Sequence, residues 1–133
     1  MEKGSKIEVS MLFERSKEAL SVAQLLMDHG KHRDVVSKSY YAMFYAACAV
    51  LRTKRLDTSK HSGVISLFSK YFCKEGLLNN IYYRKLKKAF EDRHIADYSV
   101  TKPILEDVAR KRLQDALEFN KKIEEFLTKE NWL

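Results

Sequence analysis

From Ile7 to about His29, apolar residues fall at Met11, Leu12, Ala19, Leu20, Ala23, Leu26 and Met27. That period predicts an amphipathic helix with one wet face. Gly30 is placed to stop it in the left-handed conformation. A second helix is predicted from about Arg33 to Lys54. Its middle, Ser39 to Leu51, is apolar or aromatic on nearly every face. Such a helix must be covered on more than one side, and in a small domain one cover could be another subunit. Asp57, Thr58 and Ser59 offer N-caps for a short third helix, about His61 to Cys73, with Gly76 as its stop. A fourth helix begins near Asn79 or Asn80, carries Tyr82, Leu86, Ala89 and Phe90, and runs to about Arg93. Ala96 to Lys102 is mostly polar and reads as a loop. Pro103 suits the first turn of a fifth helix, whose stripe of Leu105, Val108, Ala109, Leu113, Ala116, Leu117, Ile123 and Leu127 backs a charged face. The pattern predicts an all-α fold, an antiparallel four-helix bundle with an additional short helix.

Composition narrows this further. A length of 133 residues, with four Gly and one Pro, predicts one domain over 1–133 without linkers and argues against a β-sandwich. Cys48 and Cys73 form no Cys-x-x-Cys pair and read as buried free thiols, so no metal or other cofactor is expected. Met1 to Ser5 is no apolar signal region, and the longest uncharged run, Ser39 to Leu51, is too short for a bilayer. A cytoplasmic protein without membrane contact is the expectation. The net charge of +7 is concentrated. Arg84, Lys85, Lys87, Lys88 and Arg93 share one helix, and Arg52, Lys54, Arg55 and Lys60 form a second group. A nucleic-acid backbone or an acidic protein would suit either group. The absence of a Gly-rich phosphate loop argues against an ATPase.

Three strings carry more specific information. They are Ser37-Lys38-Ser39-Tyr40-Tyr41-Ala42-Met43-Phe44-Tyr45-Ala46-Ala47, then Lys60-His61-Ser62-Gly63-Val64, then Ala89-Phe90-Glu91-Asp92-Arg93-His94-Ile95-Ala96-Asp97-Tyr98. In this order, and followed by the closing amphipathic helix, they resemble a HEPN domain (higher eukaryote and prokaryote nucleotide-binding) of the small stand-alone prokaryotic branch. The resemblance covers about residues 7–127. It implies the same bundle, paired as a homodimer, and in many relatives a minimal nucleotidyltransferase partner in a toxin–antitoxin or defence pair. Active members are metal-independent ribonucleases, with Arg followed after four to six residues by His. Here Arg93 is followed at that distance by Tyr98, and His94 is adjacent to Arg93. A formal Arg-x5-His match from Arg55 to His61 falls before the third helix, away from the family's motif position.

Metal-free RNA cleavage needs a base for the 2′-hydroxyl and a cation for the phosphate. Arg93 suits the phosphate, through two parallel donors. Tyr98 is a weak base but can donate a hydrogen bond or stack on a nucleobase. The nucleotide- or RNA-binding candidates are therefore Arg93, Asp97, Tyr98 and His61, and any catalytic role would fall to Arg93 and His94, with His61 a further possibility. Each also has a plainer reading. Arg93 and Asp97 can form an i,i+4 ion pair. Tyr98 can be a packed ring, His94 an exposed side chain at a helix end, and His61 a helix-start group bonded to nearby backbone. Tyr40, Tyr41, Phe44 and Tyr45 read as core or dimer interface. The leading function is nucleotide or RNA binding alongside a nucleotidyltransferase. The alternatives are a non-catalytic homodimeric interaction module and a ribonuclease with an atypical motif.

Overall fold

The structure is a computed structural model that describes residues 5–133. Every regular element among them is helical. Helix α1 spans Lys6–Asp28, α2 His32–Arg52, α3 His61–Phe68, α4 Asn80–Tyr98 and α5 Glu106–Lys129. The local signals that set these bounds are visible. The Ser5 hydroxyl accepts a hydrogen bond from the Glu8 backbone N–H at 3.3 Å, which satisfies one of the donors orphaned at the start of α1. Gly30 follows α1 with φ +69°, a conformation that costs a glycine nothing. The Asn79 side chain caps α4 by accepting from Ile81 N–H at 2.9 Å.

Three boundaries differ from the sequence pattern. The third helix does not reach Cys73 as a regular α-helix. It widens at Ser69–Cys73 into a single π-helical turn that keeps Phe72 and Cys73 buried. The fourth helix does not end near Arg93 but continues to Tyr98, because Ala96 is buried against α2 and α5 and keeps the last turn folded. The fifth helix begins at Glu106, so Pro103 lies in the connection rather than in the first turn. Cys73 is buried as expected, whereas Cys48 is half-buried; both are free, and burial pushes the Cys48 thiol up to about 12.

Helix α2 is the centre of the bundle and packs on all four other helices. Its small residues Ala42, Ala46, Ala47 and Ala49 are fully buried and let neighbouring backbones come close, while Tyr40 and Met43 fill the larger gaps. One end of the core gathers Ala23, Val35, Val36, Ala96, Ala109 and Leu113. The opposite end is built around Phe13, Leu51, Phe68, Phe72, Phe119 and Leu127. His32 lies 3.8 Å from Glu106, so α2 and α5 start at the same end and run parallel. Helices α1 and α4 run against them, which gives the antiparallel four-helix core, with α3 and its π turn as the added element. No described helix is long and apolar enough to cross a membrane.

Candidate functional site

Arg93 stands at the meeting point of α2, α3 and α4. It projects from α4 and is only 8 % exposed. Four rings surround its guanidinium: Tyr40 at 5.1 Å, Tyr41 at 5.6 Å, Phe90 at 5.8 Å and Tyr98 at 5.9 Å from ring centroid to Cζ. Each is within the range at which a ring face attracts a cation. Nη1 donates to Asp97 Oδ2 at 3.3 Å, the i,i+4 pair anticipated from the sequence. Nε is buried with no hydrogen-bond partner among the described residues. Burial alone would lower the Arg93 pKa. Tyr41, Asp97 and Tyr40 outweigh that penalty and the pKa goes up, so the group is always charged.

His61 is not bonded to nearby backbone. Its Nδ1 lies 2.7 Å from the Tyr40 hydroxyl, and its ring stacks on Phe44 with centroids 4.2 Å apart and planes 13° apart. The reason is packing. The start of α3 folds down against α2, and Gly63 lets the preceding connection pack closely on α3. A Cβ at Gly63 would lie 2.8 Å from both Thr58 Cγ2 and Oγ1. Burial, and then the charge of Arg93, lower the His61 pKa, so the imidazole is neutral near pH ~7. Burial raises the pKa of the Tyr40 hydroxyl, against a lowering pull from Arg93, so the phenol keeps its proton.

Tyr98 is not a packed ring. It is 64 % exposed and meets His94 with centroids 5.0 Å apart. His94 is exposed, but it sits inside α4 rather than at its end. Lys60, His61, Ser62, Phe90, Arg93, His94 and Tyr98 line one shallow, open depression. The structure thus brings together all the sequence candidates: Arg93 and Asp97 as an ion pair, and Arg93, Tyr98, His94 and His61 around one surface.

Sequence reasoning missed Arg33. Its Nη1 donates to the carbonyls of Ala96 at 2.6 Å and Ile95 at 3.3 Å, and Nη2 donates to the Lys102 carbonyl at 2.8 Å. One side chain at the start of α2 therefore satisfies carbonyls left open where α4 ends. It holds the turn that carries Asp97 and Tyr98. The partners lie more than sixty residues away, and no local pattern marks them.

The chemistry available is a fixed cation beside two imidazoles, one of them neutral and hydrogen-bonded to a phenol. That set can hold a phosphate and can present a base to a nearby hydroxyl. No described group of three or more His, Cys, Asp or Glu side chains could hold a metal ion.

Comparison with known proteins agrees with this reading of the fold. The family model described as HEPN domain matches residues 9–131. Among curated relatives, one from Methanocaldococcus jannaschii, named "Putative toxin", is 42% identical over 100 residues, 75% of each chain. A second protein of that organism and name is 32% identical over 133 residues, 100% of this chain and 90% of the other. A UPF0332 protein of Pyrococcus horikoshii is 38% identical over 98 residues, 74% of this chain and 69% of the other. The helical bundle, the length matched and these relatives agree, and the chain belongs to the HEPN domain family.

Proposed function

We propose that this chain is the toxin-type member of a pair with a minimal nucleotidyltransferase, and that its Arg93 surface binds the phosphate of a nucleotide or RNA. The relatives' names support the toxin type. The observation that carries the binding reading is Arg93 itself. It is a buried cation with a single carboxylate partner among the described residues, held in place by rings, at a depression lined with Lys60, His61 and His94. A guanidinium so placed keeps donors for an incoming phosphate. Asp97 orients it, and Tyr98 offers an exposed ring to a base. Two copies pair as a homodimer in this reading.

A second reading rests on His61 and His94 lining the same depression as Arg93. His61 is neutral, and in the tautomer whose Nδ1–H donates to the Tyr40 oxygen, Nε2 keeps the lone pair that can take a proton from a 2′-hydroxyl. The protein would then cleave RNA without metal despite its Arg-x4-Tyr spacing.

One experiment tests both. Labelled RNA is incubated with the protein in chelator, and binding and cleavage are read together. Arg93→Ala and the exposed Tyr98→Ala are run beside it, with folding checked by circular dichroism. Binding weakened in both variants supports the phosphate site. Cleavage that is lost in His61→Ala supports the nuclease. Neither binding nor cleavage, with pairing intact by light scattering, would leave a non-catalytic interaction module.

A further inference from the structure

A second concavity lies between α1 and α2, lined by Arg15, Glu18, Ala19, Val22, Lys38, Tyr41 and Tyr45. One of its lining residues, Tyr41, also packs against Arg93. Tyr41 stands 5.6 Å from the Arg93 guanidinium on one side and 6.1 Å, ring to ring, from Tyr45 on the other. Arg15 lies over the Tyr45 ring at 4.8 Å. That contact sets the guanidinium over one ring face, at the lip of the groove. Lys38, exposed on α2, adds a second cation. Tyr41 and Tyr45 are half-buried, so their rings are fixed at little further entropic cost. Cation, ring, ring, cation is the layout of a track for a single nucleic-acid strand, in which phosphates meet charges and bases meet π-faces. One acid, Glu18, opposes it.

We infer that the α1–α2 groove is a second subsite for single-stranded RNA, taking phosphates of the strand whose neighbouring phosphate lies at Arg93. This rests on the proposed function above and deepens it: the ligand is an oligonucleotide strand rather than a free nucleotide. The two ideas fail separately. Fluorescence anisotropy is measured with the 133-residue chain against a labelled uridine dinucleotide and a labelled uridine octanucleotide. The octanucleotide binds more tightly. Arg15→Ala with Lys38→Ala weakens the octanucleotide about tenfold, makes its log-affinity against log-salt slope shallower by about 1.4, and leaves the dinucleotide unchanged. Glu18→Gln tightens the octanucleotide, which a purely structural role for the groove would not do. All the substituted residues are solvent-facing or partly so, and thermal melting confirms that the variants fold.

Equal affinity for the two probes, or an octanucleotide indifferent to the double substitution, overturns the groove while the Arg93 reading stands. No binding of either probe to the unaltered protein overturns both. An acidic peptide that binds in place of RNA, and is lost with Arg15 and Lys38, overturns the groove in favour of a protein partner.

Discussion

Helix α4 carries two buried cationic clusters on different faces, and they are built by opposite rules. Arg112 of α5 is 8 % exposed, as Arg93 is. Arg112 sits between two acids, with Nε 3.6 Å from Asp92 and Nη1 3.6 Å from Asp115. Asp115 also takes Lys85 at 2.9 Å and Lys111 at 3.2 Å, and Lys85 reaches Glu118 at 3.0 Å. Burial disfavours the Lys85 charge, but these acids more than offset it and its pKa goes up. Every cation there has an acid beside it. Around Arg93 there is one carboxylate and four rings. Rings steady a cation without neutralising it, so Arg93 keeps its charge available where Arg112 has spent it. The difference separates a structural lock between α4 and α5 from a cation held mainly by rings, the feature on which the proposed phosphate site rests.

The sharpest way to break that contrast is to remove the acid at the centre of the lock. Asp115→Ala leaves Arg112 and Lys85 short of partners and should cost about 3–5 kcal/mol in urea denaturation, because a buried charge loses its counter-ion. RNA affinity of the folded variant should be unchanged. A cost under about 1 kcal/mol would show that solvent reaches the network and that the two clusters are alike.

The next effect in size concerns the platform under the Arg93 surface. Arg33→Ala leaves carbonyls of Ile95, Ala96 and Lys102 without their charged donor. The expected loss is about 2 kcal/mol, with faster amide exchange confined to the end of α4. Arg33→Lys recovers only part, since one ammonium lacks the planar fork that spans Ala96 and Lys102. Uniform exchange across the chain would instead mean that Arg33 serves the whole bundle.

The smallest effect is in pH. The folded pKa of His61 lies below its unfolded value of about 6.5. The unfolded chain therefore binds the proton more readily. The stability is fully present above pH ~6.5 and is lost as pH falls through that value towards the folded pKa. Thermal melting near pH ~7.5 and pH ~5 should show a smaller acid loss in His61→Gln than in the unaltered chain. A phosphate bound beside Arg93 should raise the His61 pKa in an NMR titration, and an unmoved resonance would place the anion elsewhere.

Most of the fold was legible because its signals are local. Gly30 and Asn79 mark helix ends, and the apolar stripes of α1 and α5 name their buried faces. The end of α4 was illegible for the opposite reason. Ala96-Asp97-Tyr98 looks like a polar loop until Ala96 meets α2 and α5, and Arg33 bonds the carbonyls beyond. The Arg93–Asp97 pair could be read from its spacing. The Tyr40–His61 bond could not, because the fold of α3 onto α2 creates it. The aromatic string Tyr40 to Tyr45 divides in a way periodicity does not show. Tyr40 is wholly buried, while Tyr41, Phe44 and Tyr45 keep part of their surface.

The Arg33 clamp also has a meaning in time. It joins residues 33 and 102, 69 positions apart, and closes behind Arg93 after α2 and α4 are both in place. Contacts so distant along the chain form late in folding, because a long loop must be closed before they reward it. A chain still emerging from the ribosome, with α2 and α3 already made, has neither Arg93 nor the carbonyls that Arg33 grips. Whatever the surface does, a nascent chain that stops short of residue 102 lacks this clamp.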